Sequence, residues 1–161
     1  MLACSFKVAR AAYPMSKWPR KVRIGRSGTV LEPASGVFDA TVAPGEVVQA
    51  AIDRCPPGGS VLLLPGSHNA TLFLPSNKDV HVFGRGRATL WTVANDVVKS
   101  TTAAATLAGL ILRRQLGGGG GGNGVYIKGG RLRLQACDIS SAVDACITIE
   151  GGADPTVVSC R

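Results

Sequence analysis

Near the C-terminal end of the chain, Gly124-Val125-Tyr126-Ile127-Lys128-Gly129-Gly130 is answered by Cys146-Ile147-Thr148-Ile149-Glu150-Gly151-Gly152, 22 residues further on (130 to 152). Behind each copy a second apolar run ends in a cysteine, Cys137 and then Cys160, an offset of 23 residues (137 to 160). Two short β-type runs with glycine corners, repeated at this length, predict a solenoid whose coils bury their apolar faces against one another. Strand side chains alternate, so Val125 and Ile127 share one side, as do Ile147 and Ile149. Parallel stacking then places Val125 over Ile147 and Ile127 over Ile149, an inward aliphatic ladder. Tyr126 and Thr148 face outward, with Lys128 over Glu150 as a neighbour pair of opposite charge. The Gly-Gly after each strand suits a corner, where positive φ is cheap for glycine.

The same grammar extends backwards. Leu132 to Ile139 is the second run of one copy, and Thr156 to Arg161 that of the next. Thr106 to Leu112 fits the second run one turn earlier. Asp79 to Gly84, Ala88 to Trp91, Ser60 to Leu64 and Ala70 to Leu74 read as earlier strands, separated by Pro-Gly, Ser-Asn and Gly-Arg-Gly turns. Residues 61–161 hold roughly four coils at this repeat length. Ahead of them, Val47, Val48, Ala51 and Ile52 form one apolar helical face that Pro56-Pro57-Gly58-Gly59 terminates. An open solenoid end needs a cap, and this helix stands where one belongs.

The segment Val48-Gln49-Ala50-Ala51-Ile52-Asp53 through Pro57-Gly58-Gly59 and Val61-Leu62-Leu63-Leu64-Pro65-Gly66 resembles the opening of right-handed parallel β-helix proteins of the pectin-lyase-like superfamily. Gly151-Gly152-Ala153-Asp154-Pro155-Thr156-Val157-Val158-Ser159-Cys160 is similar to the repeats of carbohydrate-binding and sugar-hydrolase (CASH) domains, found in β-helix F-box and Shc-binding adaptor proteins. The resemblance covers about residues 40–161. It implies an all-β fold, a right-handed parallel β-helix solenoid with an N-terminal amphipathic capping helix. The Gly-Gly-Ala-Asp-Pro-Thr motif implies the non-enzymatic adaptor branch.

Charge divides the chain. Residues 1–26 hold Lys7, Arg10, Lys17, Arg20, Lys21, Arg23 and Arg26 with no acid, whereas the net charge of the whole is +8. The solenoid is therefore close to neutral. Residues 1–39 are read as a basic leader, partly disordered or transit-like, and 40–161 as the β-helix domain. Three readings of the leader stand: a solvated terminus or a leftover of gene prediction, an organelle transit segment, and an arm for nucleic acid or anionic membrane with Tyr13 and Trp18 among the charges. The first is preferred. No apolar h-region follows the early charges, and no stretch reads as a transmembrane helix.

Five cysteines, Cys4, Cys55, Cys137, Cys146 and Cys160, include no Cys-x-x-Cys pair. Their odd count and spacing argue against a disulfide framework and a zinc cluster. Cys137 and Cys160 match between coils and read as an inward stack of reduced thiols. That favours an intracellular location, cytoplasmic, or organellar if residues 1–26 act in transit. His68 and His81 lie on different strands and read as ordinary strand histidines. The glycine run 117–122 lacks a following Gly-Lys-Ser/Thr and reads as a flexible corner loop. Gly84-Arg85-Gly86-Arg87 reads as a turn with solvated charges, and Asn69-Ala70-Thr71 as a formal glycosylation acceptor that matters only in a secretory setting.

Sugar chemistry is the enzymatic alternative. Where pectin methylesterases show Gly-x-Tyr-x-Glu, this chain has Gly66-Ser67-His68-Asn69-Ala70, and their Gln-Asp-Thr-Leu and Asp-Phe-x-Phe-Gly motifs are missing. Asp79, Asp96, Asp138, Asp144 and Asp154 are scattered, though stacked positions lie only about 4.8 Å apart and distant acids can converge. The expectation is a non-enzymatic binding or scaffold module without cofactor or metal. Its partner is a protein, met by Tyr126, Lys128, Arg131, Arg133, Thr148 and Glu150 on exposed strand faces. The alternative is a carbohydrate-active or carbohydrate-binding protein with a polysaccharide ligand. No specific nucleic acid is expected. Because the repeat stops within a coil, without a polar cap, the sequence reads as part of a longer β-helix or as an end that pairs with another chain, end to end.

Overall fold

The computed structural model describes residues 37–161, together with the backbone of residues 6–8 and 23–25. The leader supplies β1 (Phe6–Val8) and β2 (Arg23–Gly25). Tyr13, Trp18 and Cys4, and with them the transit and nucleic-acid readings, lie outside the described residues. Next come β3 (Ala40–Val42) and the helix α1 (Val48–Arg54). Four coils follow, each with three strands: β4 (Gly59–Leu63), β5 (Gly66–Asn69) and β6 (Leu72–Leu74); β7 (Val80–Gly84), β8 (Ala88–Thr92) and β9 (Val98–Ser100); β10 (Ala104–Ala108), β11 (Ile111–Arg114) and β12 (Val125–Ile127); β13 (Arg131–Gln135), β14 (Asp138–Ser141) and β15 (Ile147–Ile149). A last strand, β16 (Thr156–Val158), opens a further turn.

Every pairing among the described strands is parallel, and apart from those of β1 and β2 each joins equivalent strands of successive rungs. One sheet has the order β1-β15-β12-β9-β6, the second β2-β16-β13-β10-β7-β4-β3, the third β14-β11-β8-β5; we call them sheets A, B and C. The chain is thus a parallel β-solenoid of about five turns, against the four predicted. The difference lies in β3, which adds a rung ahead of α1, and in β16 beyond the fourth coil.

Each coil has three strands where the sequence pattern suggested two runs. Thr106 to Leu112 is broken at Gly109 (φ +65°), and Leu132 to Ile139 at Ala136 (φ +51°). Ser159 repeats this left-handed corner at φ +53°. A single residue turns the chain from sheet B to sheet C, and at two of these corners it is not glycine, at a conformational cost of about 1–2 kcal/mol.

The inward ladders agree with the register read from the repeat. Val125 faces Ile147, Tyr126 faces Thr148 and Ile127 faces Ile149. Sheet B stacks Val61, Val82, Leu107, Leu134 and Val157, and sheet C stacks His68, Leu90, Leu112 and Ile139. Nearly all are fully buried. At about 1.5–3 kcal/mol for each buried aliphatic side chain, these ladders are the main cohesive term. A second, smaller cluster lies on the outer face of sheet B. Leu62, Phe83 and Ala108 are buried there beneath Phe38 and Leu64, and the Phe38 and Phe83 rings meet edge to face at 5.7 Å.

α1 buries Val48, Ala51 and Ile52 and packs on β3, β4 and β6, so it covers the start of the core. Val47 precedes the helix and is 70% exposed, so it does not join the apolar face assigned to it from periodicity. The outer edges of β15, in the fourth coil, and of β16 beyond it are paired by the leader: Phe6–Val8 along Ile147–Ile149 and Arg23–Gly25 along Thr156–Val158.

Two substitutions test this packing. Leu107→Ala empties the middle of the sheet B ladder and is expected to cost about 2–5 kcal/mol in urea unfolding. Gly130 holds φ +72° and a Cβ there would run into the Thr102 carbonyl. Gly130→Ala is therefore expected to destabilise more than Gly129→Ala, where a Cβ meets nothing within 4 Å.

Candidate interaction faces

The outward side of sheet A carries one stacked row, Phe73, Lys99, Tyr126 and Thr148. Phe73 is 46% exposed, and the Lys99 ammonium sits 5.9 Å from the Tyr126 ring centroid, within cation–π range. A groove of about 400 Å³ beside this row is lined by Thr71, Phe73, Asn95, Asp96 and Lys99. One of these, Asp96, ends a hydrogen-bonded chain across three coils. The Thr148 hydroxyl donates to Asn123 Oδ1 at 2.7 Å, and Asn123 donates from Nδ2 (2.8 Å) and its backbone N–H (2.7 Å) to Asp96 Oδ1.

The six residues singled out from sequence sit around the corner between sheets A and B, and they are not equivalent. Lys128 and Arg131 are exposed, Tyr126, Arg133 and Glu150 half-buried. Thr148 is buried at 8% exposure and spends its hydroxyl on Asn123, so it offers a partner little. The Lys128–Glu150 ion pair read from the repeat is not formed. Glu150 accepts the Tyr126 hydroxyl at 2.5 Å instead, and the ion pairs among the described residues are Arg113 and Arg161 on Asp138, at 2.7 and 3.4 Å. Arg133 donates from Nε to Gln135 Oε1 at 3.2 Å. Sequence reasoning missed Phe73 and Lys99. Their signal was present in the register, two and one coils before Tyr126, but the looser repeat there hid it.

A second groove, about 530 Å³, runs between the start of α1 and sheet C. Glu46, Gln49, Ser67, Asn69 and Thr71 line it around the half-buried Trp91. Asn69 and Trp91 are register neighbours on β5 and β8.

Of the scattered acids, Asp79, Asp96, Asp138 and Asp144 hold structure, as does Asp39, whereas Asp154 Oδ1 is buried without a partner. Asp39 accepts the Ser60 N–H (2.7 Å), Asp79 the Ala104 N–H (3.0 Å) and Asp144 the Gly122 N–H (2.7 Å). Asp138 is held by Arg113, whose hydrogen bond keeps its carboxyl below the usual carboxylate range against the opposing pull of burial. His68 points inward at 2% exposure, bonded through Nε2 to the Leu64 carbonyl at 3.0 Å, while its Nδ1 is buried without a partner.

The glycine run 117–122 is a corner loop, and it is pinned. Arg114 is among the largest fully buried side chains. Its guanidinium donates to the carbonyls of Gln115, Ala94 (3.3 Å) and Gly120 (2.9 Å), while Ser141 Oγ donates to Gly122 O at 3.1 Å. Arg113 and Arg114 thus part company: one faces out to Asp138, the other in.

Among the described residues, no group of three or more His, Cys, Asp or Glu is placed to hold a metal ion, and no helix is long and apolar enough to cross a membrane. Compared with protein-family models, curated proteins and solved structures, the chain matches none. What the architecture defines is the class, a parallel β-solenoid whose sheet A presents an aromatic and basic row.

Because the folded carboxyl of Asp138 titrates lower than in the unfolded chain, its contribution is present above about pH 4 and is lost as pH falls through the lowered value. Asp138→Asn is expected to cost at most about 1 kcal/mol at neutral pH. Its unfolding free energy should converge with that of the parent in acid. A constant difference down to low pH would overturn this assignment.

Proposed function

We propose that the chain coils right-handedly, as the crossover rule for parallel strands favours, and acts as a non-enzymatic binding module. Its contact face is the corner between sheets A and B, and its partner is a protein segment with acidic and apolar side chains. The observation that carries this reading is the stacked row Phe73, Lys99 and Tyr126, continued by the exposed Lys128 and Arg131. Aromatic and cationic groups held on a rigid sheet meet a partner at little entropic cost. The use of Asp39, Asp79, Asp96, Asp138 and Asp144 as backbone and guanidinium acceptors supports a binding role over acid–base catalysis, which needs carboxyls free to move protons.

One observation favours the second reading, a carbohydrate ligand. The Trp91 groove combines an indole face with the amide and hydroxyls of Asn69, Ser67 and Thr71, the apolar floor and few polar groups that small-ligand sites share.

A photo-crosslinking amino acid placed at position 126 or at position 91 separates the two. Protein adducts from position 126, lost on Lys128→Glu with Arg131→Glu, are the expected result. The double charge reversal should weaken the captured partner about tenfold or more. Glycan-array binding or pectin-type turnover that Trp91→Ala abolishes, with no adduct at position 126, would replace the protein reading with the carbohydrate one.

A further inference from the structure

Cys137 and Cys160 occupy the same place in successive coils. The Ala136 N–H donates to Val158 O at 2.9 Å, Arg161 N–H to Cys137 O at 3.0 Å, and Ile139 N–H to Arg161 O at 2.7 Å. Continued from the pairing of Gln135 with Val158, this register sets Cys137 opposite Cys160. Each follows a left-handed residue, Ala136 or Ser159, so the chain turns alike in both coils. Both thiols pack on the main core, in line with Leu110 one coil earlier. Stacked rungs stand about 4.8 Å apart, inside the Cα separation of about 4.4–6.8 Å that a disulfide spans. Both cysteines are free.

Their surroundings differ. Cys137 is buried, its thiol 3.4 Å from the carbonyls of Leu107 and Gln135. Cys160 is half-buried and reaches the Val158 carbonyl at 3.5 Å. The charged groups at this corner are Arg87, Asp138 and Arg161, which line a groove of about 340 Å³ with Leu110 and Cys137.

We propose that Cys137 and Cys160 are a hydroperoxide-responsive dithiol that closes to a disulfide between adjacent coils. The Cys160 thiolate attacks the terminal peroxide oxygen. An S–O bond forms, the O–O bond breaks, and the alkoxide leaves and takes up a proton as the alcohol, or as water from hydrogen peroxide. Cys137 then attacks the sulfenic sulfur. The S–S bond forms, the S–O bond breaks, and hydroxide leaves as water with the proton that Cys137 gives up. Two thiols lose two electrons and the peroxide gains them. The order of events follows from exposure: the half-buried Cys160 meets the peroxide and the buried Cys137 resolves it, and the neighbouring thiol draws Cys160 down to about 7 while Cys137 is raised well above its ordinary value. Cys55 is pushed the other way, by burial and then by Asp39.

The test treats the 161-residue chain with hydrogen peroxide, blocks remaining thiols and maps the peptides without reduction. A Cys137–Cys160 link that forms before Cys55 or Cys146 is modified, and that dithiothreitol reverses, is the expected result. In Cys137→Ser a dimedone-type trap should label Cys160 as sulfenic acid, and in Cys160→Ser the Cys137 thiol should survive the same exposure. A first disulfide elsewhere, overoxidation of Cys160 without the link, or inertness at doses that oxidise a free small thiol would each overturn the proposal. If a variant fails to fold, the map of the unsubstituted chain decides alone.

Discussion

The fold depends on in-register parallel stacking. Each backbone rung satisfies its N–H and C=O groups on the rungs above and below, and each inward side chain rests on its counterpart one coil away. Val61, Val82, Leu107, Leu134 and Val157 form one such column. The two effects enforce each other, since a one-residue slip would turn a whole column outward. Corners, loops and faces can vary as long as the columns hold. This explains why a loop as long as that between β11 and β12 is accommodated without disturbing the strands on either side.

The columns were also the legible part of the sequence. Period-two aliphatic alternation and a 22-residue offset carry both the strand assignment and the register of β12 on β15. The third strand of each coil was less visible for a local reason. A single left-handed residue separates sheet B from sheet C, and in Leu132 to Ile139 that residue is Ala136. Glycine or proline would have marked the break, whereas alanine leaves an unbroken apolar run. Val47 misled in the opposite way. Helical spacing put it on the buried face, but the helix begins one residue later.

The outward faces were legible only in part, because exposure of a strand position depends on what its neighbours reach. Thr148 alternates outward as expected, yet Asn123, arriving from the end of the glycine-rich loop, covers its hydroxyl. Glu150 aligns with Lys128 in the repeat, but Tyr126 is near enough to take its carboxylate first. Arg114 is the sharpest case. A charged residue after Arg113 reads as a solvated face, yet strand alternation turns it inward, where carbonyls of the glycine-rich loop and its neighbours receive it. The carbonyls of Gln115, Ala94 and Gly120 take the place of water at its terminal nitrogens, while Nε is left without a partner. The run therefore matters for what its carbonyls can approach as much as for its freedom to bend.

The pairing of β1 with β15 and of β2 with β16 changes the connectivity of contacts in the molecule. Elsewhere each strand touches its counterpart about one coil away along the chain. Phe6 and Ile147 are 141 positions apart (6 to 147). Stacked repeats can nucleate anywhere and grow by adding neighbours, but these two pairings close a loop around the entire array, and loop closure slows with sequence separation. Assembly then has two kinetic regimes, fast propagation along the coils and a slow clasp that joins the first residues to the last rungs. Once made, the clasp covers the outer edges of β15 and β16.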